Sequence, residues 1–305
     1  MSNPPFRAVF LGTPAAAVPS LEKLAQVAEV VAVVTRPDRP MGRSKRPVPS
    51  PVKAAALARG LNVVEAARGA AIDPRLFEVD LAVVTAFGVI IPANVLKAPK
   101  HGLVNVHFSL LPRWRGASPV AAAIAAGDQE TGVSIMSLEE GLDTGPVFAA
   151  LSVVIGGEET AGELTERLAL VGASLLAETL PALLAGRLTP VPQDGARATY
   201  APRLQASDRI LDLRQSAESN ARKIRALTPK PGAVLLLDGE RLGVIAARPT
   251  DRDLPTGQFE TTGDRLMVGS AGGALELLTV RPEGRKEMAG SDWARGWRRP
   301  PVVDQ

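Results

Sequence analysis

The stretch LVNVHFSLLP, residues 103–112, carries the reading of the fold. An apolar run reaches a histidine and, five residues later, a proline, so a strand over Leu103–Val106 must give way to a turn there. Side chains alternate along a strand, which places Asn105 and His107 on the same side, at the carboxyl end. In open α/β sheets that end is where ligands bind. The histidine is one of only 2 in 305 residues, which makes its position informative.

Outward from this point the same kind of strand recurs. Arg7–Leu11 (RAVFL), Val30–Thr35 (VVAVVT) and Asp80–Thr85 (DLAVVT) are continuous apolar runs, as expected of strands buried on both faces of a parallel sheet. Val18–Ala28 and Pro51–Arg59 have helical spacing between them, and Asn62–Val64 reads as a short strand, giving βαβ units. Further on, Ala117–Ala126 reads as a helix and Gly132–Met136 and Val147–Val154 as strands. Thr160–Leu184 reads as a long helix whose Thr160 and Glu163 have capping-box spacing. We therefore expect an α/β, Rossmann-like parallel-sheet domain over residues 1–189. Pro190, Pro192, Gly195 and Pro202 give residues 190–206 the composition of a linker. Over 207–305 the pattern changes: a basic amphipathic helix at Ala217–Leu227, a hairpin signal at Asp238-Gly239, and short strands at Arg265–Val268 and Ala274–Val280. These predict a smaller, OB-like β-barrel.

A chain of 305 residues suits two domains. The absence of cysteine removes disulfides, thiolate metal sites and a cysteine nucleophile. No apolar run approaches the ~20 residues of a membrane span. The first residues lack the pattern of a secretory signal, and a cytoplasmic protein is expected. A net charge of +3 and a pI of about 9.4 favour an anionic partner.

Asparagine and histidine both donate hydrogen bonds, and donors aimed at one point stabilise the oxyanion of an acyl-transfer intermediate. Asp143, in GLDTGP at 141–146, is a turn carboxylate that could orient the histidine or hold its charged form. No nucleophile elbow or P-loop accompanies them, so direct attack by a substrate nucleophile is favoured, with Ser109 and Thr144 left open as nucleophiles. With 2 histidines and no cysteine, no catalytic metal is expected. A proline-broken basic segment, RPDRPMGRSKRP at 36–47, sets Arg36, Arg39, Arg43, Lys45 and Arg46 against Asp38.

NVHFSLLPRWRGASP at 105–119 and GLDTGP at 141–146 resemble the signature of the 10-formyltetrahydrofolate-dependent formyltransferases. FLGTPAAAVPSL at 10–21, RPDRPMGRSKRPVPSPVK at 36–53, VVTAFGVIIP at 83–92 and LTVRPEGRKEM at 278–288 extend the likeness over nearly the whole chain. It is strongest to those members that act on charged initiator tRNA. The resemblance implies catalytic positions at Asn105, His107 and Asp143. It implies folate-binding positions at Ser109, Leu110, Leu111 and Pro112, and a pterin pocket lined by Phe87, Gly88, Val89 and Ile91. The co-substrate would be 10-formyltetrahydrofolate, and the acceptor the amine of initiator methionyl-tRNA. Arg36, Arg39, Arg43, Lys45 and Arg46 would then meet the tRNA, with Arg222, Lys223, Arg225, Arg285 and Lys286 of the second domain gripping its backbone; we expect a monomer. Three departures stand out: Ala16 and Phe87, where the family has an aromatic residue and a tyrosine, and RILDL at 209–213. Relatives sharing the Asn, His and Asp act on nucleotide sugars, glycinamide nucleotides or water, so the acceptor is an open choice at this point. A non-enzymatic RNA-binding protein would leave NVHFSLLP and GLDTGP without a purpose.

Overall fold

The computed structural model describes residues 6–40 and 46–304, and the chain divides into two compact units at Ala201/Pro202. Residues 120–130 and 154–164 group with the second unit.

The first unit is built on a seven-stranded sheet. In chain order the strands of this sheet and the helices that alternate with them along the chain are β1 (Phe6–Gly12), α1 (Val18–Val27), β2 (Ala28–Thr35), α2 (Pro51–Ala58), β3 (Val63–Glu65), β4 (Leu81–Thr85), β5 (Leu103–His107), α3 (Pro119–Ala126, nearly all of it grouped with the second unit), β6 (Glu130–Ser137), β7 (Val147–Val154) and α4 (Ala161–Leu184). The strand order is β7-β6-β5-β4-β1-β2-β3. Strands β1 to β5 run parallel to their neighbours, whereas β6 runs antiparallel to β5. The sheet is therefore mixed, not wholly parallel as the apolar runs suggested. A buried antiparallel strand and a buried parallel one are equally apolar, so periodicity does not separate them. Every residue of β4 and of β5 is buried, as a central strand covered on both faces must be.

α4 is long and apolar enough, by length and composition alone, to cross a membrane, which the search for apolar runs did not anticipate. Its apolar side is committed elsewhere: Leu164, Leu168, Leu176 and Leu180 are fully buried at helical spacing. It reads as a core helix of this fold.

The stretch expected to be a linker carries real structure up to Ala201. Val191 exchanges two backbone hydrogen bonds with Val147 (2.9 and 2.8 Å), and Tyr200–Ala201 pairs in parallel with Arg115–Gly116. Proline and glycine mark a turning strap as readily as a tether, so composition alone misleads here.

The second unit contains α5 (Ala217–Leu227), β8 (Ala233–Leu237), β9 (Glu240–Thr250), β10 (Phe259–Thr262), β11 (Arg265–Ser270) and β12 (Gly273–Pro282). These strands are antiparallel in the order β8-β9-β12-β11-β10, with Met288–Ala289 also on β12. The expected barrel takes the form of a six-stranded sheet. Its apolar face packs with Ala221, Ile224 and Leu227 of α5 in one core. Ser216 caps α5 by accepting from the Ser219 amide at 3.1 Å.

Candidate active site

Asn105 and His107 occupy the carboxyl end of β5 and are 8% and 6% exposed. β5 brings them to one side, as alternation requires. Among the described residues the Asn105 side-chain amide makes no hydrogen bond. The His107 ring is fixed from the other edge: Nε2 lies 3.0 Å from the Trp114 carbonyl oxygen. A carbonyl only accepts, so Nε2 carries the hydrogen, and in the neutral ring Nδ1 presents a lone pair. Nδ1 faces Asp143, whose Oδ2 is 3.8 Å away, beyond a direct hydrogen bond. The ring is therefore oriented by the Trp114 carbonyl and not by the aspartate.

Asp143 is tied down separately. Its Oδ2 accepts the Gly116 amide at 2.8 Å. Both Trp114 and Asp143 have positive φ, 60° and 50°, as does Ala86 at 46°, which opens the 86–92 loop. Such backbone is uncommon for residues other than glycine and costs about 1–3 kcal/mol each. Three of the four non-glycine residues of this kind, among those described, flank one site.

The SLLP turn is shaped from below by Ser134, which sequence reasoning overlooked. Ser134 pairs with His107 across β6 and β5. Its Oγ donates to the Ser109 carbonyl (2.7 Å) and accepts the Leu111 amide (3.1 Å). Ser109 itself is fully buried and donates to the Arg113 carbonyl at 2.6 Å, so its hydroxyl closes the turn. Leu110, Leu111 and Pro112 are half-buried. Leu110 lies across Gly132, where a Cβ would run into the Leu151 carbonyl oxygen and come 2.5 Å from Leu110 Cδ2; only glycine leaves that room.

In the loop that follows β4, the parallel neighbour of β5, the Phe87 carbonyl accepts from Thr13 Oγ1 at 3.0 Å. Phe87 and Ile91 pack into the core with Leu11, Val84 and Val95, so their side chains support the loop. The surface it offers comes from exposed Gly88, half-buried Val89 and Ile90, the last 91% exposed and missed by the sequence reading. The Arg36 guanidinium lies 3.9 Å from where a Cβ on Gly88 would stand. Arg39 and Arg46 are exposed, Arg39 in a two-residue antiparallel pairing with Val48. Arg43 and Lys45 lie outside the described residues.

In the second unit the basic face of α5 is partly engaged. Lys223 Nζ donates to the Ile210 carbonyl (2.7 Å), Arg225 Nη1 to that of Glu159 (3.1 Å), and burial lowers the Arg225 guanidinium pKa. Arg285 and Lys286 are exposed. A cleft of about 500 Å³ is lined by Arg222, Arg225 and Arg248 together with Asp128, Glu158 and Glu218, so its charges are mixed. Among the described residues no three histidine or carboxylate side chains converge as a metal cage requires.

An asparagine amide and an oriented imidazole at the end of a sheet strand, with a fixed carboxylate beside them, have the chemistry that acyl transfer calls for. Comparison with known proteins gives that chemistry its family. The formyl transferase family matches residues 7–180, and its C-terminal domain family matches residues 203–298; the chain belongs to the formyl transferases. It is 47% identical to the methionyl-tRNA formyltransferase of Paenarthrobacter aurescens, covering 97% of this chain and 99% of that one. It is 44% identical to the methionyl-tRNA formyltransferase of Halorhodospira halophila over 96% of both chains. Among solved structures, an N-formyltransferase from Helicobacter canadensis, determined with folinic acid and dTDP-3-aminofucose, shares the fold. Its TM-score is 0.69 at 18% identity, over 90% of this chain and 98% of that one. HypX from Aquifex aeolicus with tetrahydrofolic acid gives a TM-score of 0.65 at 17% identity, over 98% of this chain and 51% of that one.

Proposed function

We propose that this protein transfers the formyl group of 10-formyltetrahydrofolate to the amine of initiator methionyl-tRNA, giving the formylated tRNA that starts translation. The full-length identity to methionyl-tRNA formyltransferases supports the acceptor. The observation that carries the chemistry is the His107–Asp143 geometry. Because 3.8 Å is less than twice a hydrogen-bond length, a nitrogen can sit about 2.9 Å from Nδ1 and Oδ2 at once. The methionyl amine fits that place.

In this reading the amine nitrogen attacks the formyl carbon and the carbonyl electron pair moves to oxygen. The Asn105 amide donates to the oxyanion as it forms. The amine proton passes to His107 Nδ1, whose lone pair is exposed because Nε2–H is held by Trp114, and the Asp143 carboxylate stabilises the imidazolium. The same proton then returns to N10 of the folate as the carbon–nitrogen bond breaks. Donors act here with little reorganisation, because the Trp114 carbonyl and the Gly116 amide have already set the ring and the carboxylate. Leu110, Leu111 and Pro112 on one side and Gly88, Val89 and Ile90 on the other would hold the folate. The 36–47 segment, with Arg36, Arg39, Arg43, Lys45 and Arg46, would meet the tRNA, since guanidinium groups fit phosphates and base edges.

The test is formyl transfer from 10-formyltetrahydrofolate to charged initiator methionyl-tRNA, run beside an amino-sugar nucleotide and a glycinamide nucleotide. Transfer to tRNA is expected. Transfer to a small acceptor without transfer to tRNA would overturn the assignment.

A further inference from the structure

The Asp143 carboxylate is half of a larger circuit whose other half runs through Gln193, a residue of the strap that nothing in the sequence motifs singles out. Gln193 Nε2 donates to the carbonyl oxygens of Asp143 (2.9 Å) and Gly145 (2.6 Å). Its Oε1 accepts from Arg115 at both Nε (3.0 Å) and Nη2 (2.8 Å). Arg115 is only 5% exposed. The next residue, Gly116, holds the Asp143 carboxylate through its amide. Residues 115 and 116 thus reach Asp143 by two routes, side chain to main chain through Gln193 and main chain directly to side chain, and the ring of hydrogen bonds closes.

We propose that Gln193 is a positioning residue for formyl transfer, acting through Asp143 and braced by Arg115; this rests on the reading of Asp143 given above. Three observations carry it. A carboxamide with both ends in use has one orientation, because swapping its oxygen and nitrogen would set N–H against guanidinium and oxygen against two carbonyls. The buried guanidinium draws on Oε1 and so strengthens the N–H donors at the other end. The carbonyls held belong to Asp143, at φ 50°, and to Gly145 two residues on, so the clamp fixes the turn that aims Oδ2 at His107. The strap is pinned on either side of Gln193. At one end is the Val191–Val147 pair. At the other, Thr199 accepts the Trp114 amide at Oγ1 (2.9 Å) and the Arg115 amide at its carbonyl (2.9 Å). The same strap therefore supports the Trp114 turn whose carbonyl orients His107.

The test uses the full-length enzyme. Gln193→Glu keeps the shape and the bond to Arg115 but turns carboxylate oxygen toward two carbonyls; Gln193→Met keeps the length and removes every hydrogen bond. For both, kcat should fall about 10–100-fold, the range expected when a reacting group is displaced by about an ångström. KM for 10-formyltetrahydrofolate and for methionyl-tRNA should stay within about twofold, and the acid limb of the kcat–pH profile should move. Combined with Asp143→Asn, either change should add no further loss, because residues acting as one unit are not additive. Full additivity, or an unaltered kcat and pH profile, would overturn the proposal. So would a fall in turnover accompanied by equal loss of folate binding and of thermal stability, the pattern of a merely structural residue. Near-normal turnover of Asp143→Asn alone would instead show that the reading of Asp143 had failed.

Discussion

His107 and Trp114 are joined through Nε2 and a main-chain carbonyl at 3.0 Å, which leaves Nδ1 as the ring nitrogen that faces Asp143. Trp114, whose carbonyl meets the ring, has a φ of 60°. Asp143 is then free to act on whatever lies between it and Nδ1.

Asp143→Asn should preserve the fold, since the amide oxygen can still accept from Gly116, while turnover falls by about 10²–10⁴. Single-turnover formyl transfer with 10-formyltetrahydrofolate checks this; a rate within a few-fold of wild type would take Asp143 out of the chemistry.

Ser134→Ala strips the Leu111 amide of its buried acceptor and the Ser109 carbonyl of a donor. Leaving such groups unpaired costs about 1–3 kcal/mol each. Denaturant unfolding should show reduced stability, and KM for the folate should rise more than kcat falls, because the SLLP turn loses its support.

Arg39→Ala and Arg46→Ala should weaken tRNA-dependent turnover and leave folate binding intact. If each removes a phosphate contact, the slope of log affinity against log salt becomes shallower by about 0.7–0.9. An unchanged slope would mean that these exposed arginines do not touch phosphate.

Acid stability of the second unit should depend on Glu276. This carboxylate is 5% exposed and is bonded by Arg265 (Nη2 to Oε2) and Arg248 (Nε to Oε2, 2.9 Å). Arg265 first, and Arg248 with it, hold its pKa below the ordinary 4.5. A carboxyl lowered on folding adds stability above its unfolded value and loses it as pH falls through the folded value. Thermal melts of wild type should therefore drop as pH goes below about 4.5, and Glu276→Gln should be destabilised at neutral pH with a flatter acid limb. Parallel melting curves for the two proteins would count against it.

What could be read from the sequence follows from how local each signal is. α5 matches its expected bounds because its amphipathic pattern and Ser216 cap lie within one helix. The placement of Asn105 and His107 together at a strand end was legible because strand alternation and a following proline are local too. Gln193, Ser134 and Thr199 were not. They act on residues far along the chain, across 48 and 50 positions for Gln193 and 85 for Thr199, and no periodicity records such a contact. Phe87 and Ile91 show a different limit: an apolar residue in a loop reads the same whether it lines a pocket or anchors the loop in the core, and here both are anchors.

The strap also separates two boundaries that are easily taken as one. The family match to the catalytic domain stops at residue 180, yet the backbone holding Trp114, Arg115 and the Asp143 turn extends to Ala201. A truncation at the shorter limit would keep Asn105, His107 and Asp143 and still lack Gln193 and Thr199, which brace the Asp143 turn and Trp114. In this enzyme the piece of chain that holds the Asn105, His107 and Asp143 geometry together runs past the limit of the first family match.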